Sequence, residues 1–263
     1  MSHSLIASVL KLSRASTCAL AFALVFLPSY FHTRELWPSV GLALPIFSIA
    51  MCMFILNDIN DVERDLVNHP RRPIPAGLIT IGAATIVYLV LFALSLLLVR
   101  VLIQPNVHYI YLIGFLLAIN YNTIVDNLPK LKNLYVAFTV LVPVFIVNTA
   151  AESPVISISI AAALFLFVLG REILMDLQDS AGDGSTLAKS IPTTIANTAA
   201  FVLQAAAILV LGLHLSNPIR LLSLTLILFI FIFVLVRWKM AASRQFLINL
   251  MKIQLLAALT FLF

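Results

Sequence analysis

Residues 39–65 read SVGLALPIFSIAMCMFILNDINDVERD, an apolar run that ends at residue 56 and is followed at once by a cluster of acids. Asp58, Asp61 and Asp65 lie at positions i, i+3 and i+7, and Asn57 precedes them. This spacing places the three carboxylates on one face of a helix, where like charges repel unless a cation lies between them. The stretch therefore predicts an apolar helix that ends in a cation-binding site.

A second cluster repeats the spacing of the first. Its members are Asp176, Asp179 and Asp183, with Glu172 ahead of them. Each cluster closes an apolar segment and is followed by a basic residue and a proline, at 72–73 and at 189–192. The recurrence comes four helices later, which indicates a weak internal repeat. Parallel duplicated halves would place both clusters around one central cavity.

The composition is that of a membrane protein. Of the 263 residues, 62% are hydrophobic and 10% are charged, against roughly 25% charged residues in soluble domains. Nine apolar segments are predicted to span the membrane as helices, and their continuous apolar runs argue against a β-barrel. They lie near 15–31, 39–56, 78–99, 107–125, 134–151, 154–173, 193–213, 218–236 and 246–263. We therefore expect an all-α polytopic protein in which residues 1–263 form one integral-membrane domain.

The basic residues predict the orientation of the chain. With the N-terminus inside, most of the 16 Lys and Arg residues fall on the cytoplasmic side, or its organellar equivalent, as the positive-inside rule requires. Both acidic clusters then face that same side. The isoelectric point of about 9.4 is explained by loops that face anionic lipid or an anionic substrate, so no nucleic-acid partner is expected.

A hard divalent cation suits the two clusters. Magnesium prefers oxygen ligands and is held by one or two carboxylates together with substrate phosphates. Two alternatives stay open for the acids: solvation in a loop, and ion pairing within the loop, for example of Arg64 with Asp61 or Asp65. Solvated loops do not need the same spacing twice, and one arginine cannot serve all the acids of a cluster.

The motifs also resemble those of a known family. Asn57-Asp58-x-x-Asp61-x-x-x-Asp65 with Arg72-Pro73-Ile74-Pro75-Ala76-Gly77, and Arg171-Glu172-Ile173 leading into Asp176-x-x-Asp179-x-x-Gly182-Asp183, are similar to the two signatures of the UbiA superfamily of intramembrane prenyltransferases. Tyr121-Asn122 and Pro129-Lys130-Leu131-Lys132-Asn133 resemble the basic loop between its helices four and five. Asn122, where a serine is common, and Asp126, in a normally basic loop, depart from the pattern.

The resemblance implies nine transmembrane helices around a central cavity. It also implies magnesium-dependent transfer of a prenyl group from an isoprenoid diphosphate to an aromatic or lipid-like acceptor within the membrane. The implied metal ligands are Asn57, Asp58, Asp61, Asp65, Asp176, Asp179 and Asp183, with Asp61 and Asp179 as the catalytic candidates. The implied diphosphate-binding residues are Arg64, Arg72, Lys130, Lys132 and Arg171.

Other outcomes are compatible with the same site. Some UbiA-like proteins are terpene cyclases, in which the allylic cation is captured within its own chain without a separate acceptor. Aromatic rings could stabilise that cation through their faces, and the candidates are Tyr88, Tyr109, Tyr111, Tyr121 and Tyr135. An ion-coupled transporter is the remote alternative, since transport predicts ionisable residues near the bilayer midplane. Here the middles of the helices are nearly free of charge.

Overall fold

The computed structural model describes residues 5–178, 190–238 and 244–262, and within those ranges the chain is helical between short turns and contains no strand. In chain order the helices are α1 (Leu5–Leu12), α2 (Ala15–Thr33), α3 (Leu36–Asn60), α4 (Val62–Asn68), α5 (Ile81–Leu102), α6 (Pro105–Asn127), α7 (Lys132–Thr139), α8 (Leu141–Ala150), α9 (Ile158–Gln178), α10 (Thr193–Gly212), α11 (Pro218–Arg237) and α12 (Arg244–Ala258). A 3₁₀ turn at Pro129–Leu131 precedes α7, and another at Leu259–Leu262 follows α12.

The described helices include 8 spans that are long and apolar enough to cross a membrane, if α7 and α8 are taken as one. A shorter apolar helix at Phe246–Leu262 stands in the place of the ninth predicted segment. Each predicted segment therefore corresponds to a helix, in the same order. The prediction of an all-α polytopic membrane protein is confirmed, and the described residues contain eight spans of full length and one shorter apolar helix where nine spans were expected.

The fifth span is broken near its middle. α7 ends at Thr139 and α8 begins at Leu141. Pro143 lacks the N–H group that would bond to the carbonyl of Thr139, and its ring collides with that carbonyl in a continuous helix. The break therefore follows from a proline inside an otherwise apolar run.

Helices α9 and α10 approach each other closely because residue 170 is glycine. A Cβ atom at Gly170 would lie 2.6 Å from the carbonyl oxygen of Ala200 and 3.0 Å from Cγ of Gln204. No side chain fits there without a shift of the backbone. Since Arg171, Glu172 and Asp176 follow on α9, this crossing fixes the position of the second acidic cluster.

The outer surface of the bundle is apolar. Long aliphatic and aromatic side chains on α5 and α11 are exposed, among them Leu97, Leu222, Phe229 and Val236. In water, so much exposed apolar surface would promote association, whereas lipid tails solvate it. The polar side chains described below lie inside the bundle instead.

Candidate active site

A cavity of about 390 Å³ lies among α2, α3, α4, α6, α7, α9 and α12. Its apolar wall is formed by side chains such as Leu20, Leu24 and Val168. The charged and polar residues that line it include Arg14, Asn57, Asp61, Arg64, Asp65, His69, Arg72, Tyr121, Lys132, Arg171, Glu172, Asp176 and Lys252. Both acidic clusters therefore contribute to one cavity, as their repeated spacing suggested.

The first cluster does not lie on one continuous helix. α3 ends at Asn60, and Asp61, with φ −92° and ψ 12°, joins it to α4. The backbone N–H of Asp61 donates to the carbonyl of Asn57 at 2.9 Å, and that of Asp65 donates to the carbonyl of Asp61 at 2.8 Å. The expectation of one continuous helix is corrected accordingly: the three acids span an interruption at Asp61, across which the helical hydrogen-bond spacing continues.

Asp58 and Asp65 form a buried network with two arginines. Arg72 Nη1 lies 2.5 Å from Asp65 Oδ2 and 3.3 Å from Asp58 Oδ1, while Arg14 Nη2 lies 2.7 Å from Asp58 Oδ1. The guanidinium of Arg14 also lies over the ring of Phe54, 4.7 Å from its centroid. Both carboxylates are almost fully buried, and buried carboxylates persist only when paired.

The loop after α4 holds Arg72 in place. Ile74 and Ile79 are buried in an apolar cluster with Leu12 and Ile55. Between them Gly77 adopts φ +68° and donates its N–H to the carbonyl of Ile74 at 3.0 Å. Glycine tolerates this left-handed backbone at no steric cost, so the chain turns back immediately and Arg72 stays at the base of the cavity.

Asp61 lines the cavity and pairs with a different cation, Arg64. Its carboxylate lies 3.2 Å from Arg64 and accepts a hydrogen bond from Asn57 Nδ2 at 3.0 Å. Arg64 also reaches Asp126, at 3.2 Å, which gives the unexpected acid of the basic loop a partner. Burial raises the pKa of Asp61, Arg64 opposes that rise, and the negative charges of Asp65 and Asp126 add to it.

The second cluster meets the loop before α7. Lys132 Nζ donates to Asp176 Oδ1 at 2.8 Å. The other carboxylate oxygen of Asp176 is buried and has no hydrogen-bond partner among the described residues. One turn earlier, Arg171 Nη1 lies 2.6 Å from Glu172 Oε1. The first residue of α7 therefore supplies the cation that faces Asp176 of α9.

The predicted site residues divide into four groups. Most line the cavity; Asp58 is buried behind its wall, in contact with Arg14 and Arg72. Lys130 is exposed and does not line the cavity. Asp179 and Asp183 lie outside the described residues. Of the five candidate tyrosines, all within the described ranges, Tyr121 lines this cavity, whereas the Tyr111 hydroxyl is buried and donates to the carbonyl of Leu42.

Two cavity cations, Arg14 and Lys252, were not predicted as site residues. In the sequence, Arg14 belongs to the basic segment before the first span, and the positive-inside rule already accounts for its charge. Lys252 is a charged residue within the last apolar helix, and such residues usually mark functional sites. That signal was present in the sequence.

The donor groups fit magnesium. They are carboxylate and amide oxygens, the ligands this ion prefers, and Asp176 offers a buried oxygen that no other described group uses. Among the described residues, however, no three His, Cys, Asp or Glu side chains converge closely enough to form a site by protein ligands alone. A cation held partly by substrate phosphates needs fewer protein ligands, which agrees with this arrangement.

The fold and cavity define a class: an intramembrane helical enzyme with paired acidic motifs. The chain matches the model of the UbiA prenyltransferase family over residues 12–256. It belongs to that family, and the predicted assignment to the prenyltransferases is confirmed.

Among curated relatives, the digeranylgeranylglyceryl phosphate synthase of Methanoculleus marisnigri is 32% identical over 161 residues, which are 60% of this chain and 57% of that protein. The enzyme of the same name from Methanothrix thermoacetophila is 29% identical over 207 residues, 77% of each chain.

Two solved structures share the fold. A UbiA homologue from Aeropyrum pernix has a TM-score of 0.76 at 16% identity, over 94% of this chain and 97% of its own. A structure described as that of digeranylgeranylglyceryl phosphate synthase has a TM-score of 0.70 at 21% identity, over 98% of each chain. At these identities the likeness concerns the fold alone.

Proposed function

We propose that this protein transfers a prenyl group from an isoprenoid diphosphate to a lipid-like acceptor, in the cavity between α3 and α9. The observation that carries the proposal is the meeting of both acidic motifs and several cations in one cavity whose remaining wall is apolar. A diphosphate needs the polar part, and an isoprenoid chain needs the apolar part. Acids that are merely solvated in a loop require neither the polar nor the apolar part of a cavity.

The acids are proposed to hold magnesium together with the diphosphate. The proposed ligands are Asn57, Asp58, Asp61, Asp65, Asp176, Asp179 and Asp183, of which Asp61 and Asp179 matter most for catalysis. Magnesium, when bound there, supplies Lewis-acid neutralisation of the charge that develops on the leaving diphosphate. The buried second oxygen of Asp176 and the cavity-facing carboxylate of Asp61 support this assignment.

The cations are proposed to bind the phosphate oxygens. Arg64, Arg72, Lys132 and Arg171 line the cavity, each already paired with a carboxylate. When those carboxylates take up a metal ion, the same cations become available to the diphosphate, so the net charge of the site stays balanced. We propose that Lys130, which lies in the 3₁₀ turn before α7 and does not line the cavity, also contacts the diphosphate.

The part of the isoprenoid chain nearest the diphosphate is proposed to occupy an adjoining apolar cavity of about 160 Å³. The two cavities share wall residues, namely Thr17, Ala21, Met53, Phe54, Thr139 and Pro143. The smaller one continues along Ile46, Ile49 and Leu117 and is lined by no charged residue of the described chain. Tyr121, at the polar end, presents an aromatic side chain near the bond that breaks and can stabilise the allylic cation there.

The names of the relatives suggest the substrates. The name digeranylgeranylglyceryl phosphate describes two geranylgeranyl groups on glyceryl phosphate. By analogy we propose geranylgeranyl diphosphate as donor and the mono-prenylated glyceryl phosphate as acceptor.

We also propose that residues 1–263 work as one domain, with both motifs on the cytoplasmic side of the membrane.

The test is product analysis with purified protein in lipid nanodiscs. Labelled geranylgeranyl diphosphate is supplied with and without acceptor and magnesium; we expect transfer that requires both. A terpene hydrocarbon or alcohol formed without acceptor would show a cyclase instead, and movement of a solute without bond breakage would show a transporter. Donors of ten and fifteen carbons test the assigned chain length.

The metal assignment has its own variants. Asp61→Ala and Asp179→Ala should abolish diphosphate release, whereas Glu35→Ala, an exposed acid at the start of α3, should leave it unchanged. Normal diphosphate release from either aspartate variant would overturn the assignment.

A further inference from the structure

Lys252 is a cation in an unusual position. It lies eight residues into α12, about 12 Å from the start of that helix at 1.5 Å per residue, and it is half-buried against the main cavity. Leu255, one turn further along, lines the same wall. Among the described residues, Lys252 has neither an ion pair nor a hydrogen bond from its side chain, and this distinguishes it from the other cavity cations.

Two further cations surround the same space. Arg14 from the turn before α2 and Arg171 from α9 line the cavity, and both repel the charge of Lys252. Each of these arginines has its own carboxylate, Asp58 and Glu172 respectively. Lys252 therefore carries a positive charge that no acid of the described chain contacts directly.

A charge in this position requires compensation. Placing an ammonium group at membrane depth without a partner costs several kcal/mol, and such residues are retained where they serve a ligand. The natural partner is an anion that enters the cavity with the substrates. The diphosphate is one such anion, and the phosphate of the acceptor is the other.

The arrangement of the cations separates these two anions. Arg64, Arg72 and Lys132, from α4, the loop after it and α7, already face the acids of the motifs. Lys252 comes from α12, an element that carries none of the motif residues, and its neighbour on the wall is the apolar Leu255. A phosphate joined to a lipid chain could contact Lys252 through the phosphate and Leu255 through the chain.

We infer that Lys252, with Arg14 beside it, binds the phosphate of a lipid phosphomonoester that serves as acceptor. The inference rests on the proposed function, because it assigns the acceptor subsite of the same cavity. A phosphomonoester carries about −1.5 to −2 charges at pH 7, and the ammonium group of Lys252 neutralises one of them. The apolar wall then receives the lipid chain of the acceptor.

The kinetic test uses Lys252→Met, which keeps an unbranched side chain one atom shorter and removes its charge, and Lys252→Arg, which keeps the charge. Arg100→Met, an exposed cation of α5 outside the cavity, is the matched control. For Lys252→Met we expect the KM of mono-prenylated glyceryl phosphate to rise at least about tenfold, as befits the loss of a charged hydrogen bond. The KM of geranylgeranyl diphosphate should change less than about twofold, and Lys252→Arg should recover most of the loss.

Binding without turnover supplies a second readout. The phosphorylated acceptor should raise the Tm of the wild-type protein and of Arg100→Met, whereas neutral geranylgeranylglycerol should not. In Lys252→Met the shift should disappear while the Tm of the ligand-free protein stays close to that of the wild type. A Lys252→Met protein with a normal shift, or with a raised KM for the donor only, would overturn the inference.

The two proposals fail differently. If the wild type transfers no prenyl group yet shows a Lys252-dependent shift with the lipid phosphate, the proposed function fails and the binding site stands. If transfer proceeds and Lys252→Met leaves the KM of the acceptor unchanged, only the acceptor subsite is refuted.

Discussion

Arg14 combines a strained backbone with a buried ion pair. Its φ of 47° and ψ of 46° lie in the left-handed region, which costs a residue other than glycine about 1–2 kcal/mol. The strain directs the side chain from the turn before α2 to Asp58 on α3, at 2.7 Å. The ion pair thus stabilises a backbone conformation that the local sequence does not favour.

Removal of Arg14 should separate these two effects. In Arg14→Gln, Asp58 keeps only the longer contact with Arg72, so we expect a loss of about 3 kcal/mol of stability and at least a roughly tenfold slower prenyl transfer. Arg14→Gly loses the same pair but relieves the backbone, and it should be about 1 kcal/mol more stable than Arg14→Gln. Denaturation in detergent and initial rates measure both quantities.

A second substitution serves as the control. Asp58→Asn removes the carboxylate charge that Arg14→Gln leaves with only the longer contact to Arg72, so the double variant should regain stability without regaining activity. Equal losses of stability in the single and double variants would contradict the assigned role of the pair.

Asp61 should set the acid limb of the pH profile. Because burial raises its pKa above the ordinary 3.8, the carboxylate protonates, and ceases to bind a cation, at a higher pH than an exposed aspartate does. Asp126 adds to that rise, so Asp126→Asn should lower the pKa of Asp61 and move the acid limb of kcat/KM to lower pH. A shift to higher pH, or no shift, would show that Asp61 does not control this limb.

Residue-level prediction succeeded where the contacts are local and failed where they are remote. Asp61 and Arg64 are three residues apart, and their pairing was one of the open alternatives. The contact of Arg14 with Asp58 spans 44 residues, and nothing in either segment alone indicates it. Composition assigned Arg14 to membrane orientation, which explains a positive charge but not its partner.

At the scale of the helices, hydrophobic runs predicted the spans well because lipid requires each spanning segment to satisfy its own backbone hydrogen bonds. The interruptions were harder to predict. Pro143 breaks the fifth span, and a residue without special backbone chemistry, Asp61, separates α3 from α4. No proline or glycine adjoins the second break, so no residue type in the sequence indicates it.

The crossing of α9 and α10 should not tolerate a side chain at residue 170. In Gly170→Ala the new Cβ would meet the carbonyl oxygen of Ala200 at 2.6 Å, and overpacking of this kind costs about 1–3 kcal/mol. We expect a lower Tm in detergent and reduced transfer, because the shift of α9 moves Asp176.

Gly82 provides the matched control for this prediction. It lies in the first turn of α5, and a Cβ atom added there would have no described atom within 4 Å, so Gly82→Ala should keep or slightly raise the Tm. Equal Tm values for the two variants would show that the approach of α9 and α10 is not limited by Gly170.

At the scale of the whole molecule, the repeated acidic spacing predicted the central feature. Two clusters four helices apart line one cavity because the ends of α3 and α9 meet there. The sequence could not show which cations of the cavity face an acid, because that depends on the position of the helix that carries each side chain. Lys132 and Lys252 are chemically alike, yet within the described chain one faces an acid and the other does not.

The orientation of the molecule can be tested directly, because both native cysteines, Cys18 and Cys52, are buried. Lys130→Cys lies in an exposed turn at the acidic end of the bundle, and Arg100→Cys lies in an exposed position at the far end of α5. If the acidic motifs face the cytoplasm, a membrane-impermeant thiol reagent should label Arg100→Cys in intact cells and Lys130→Cys only in inverted vesicles. The basic segments around the motifs give the physical reason, since they are retained on that side during insertion. The opposite labelling pattern would place diphosphate chemistry on the outer face and refute the assigned orientation.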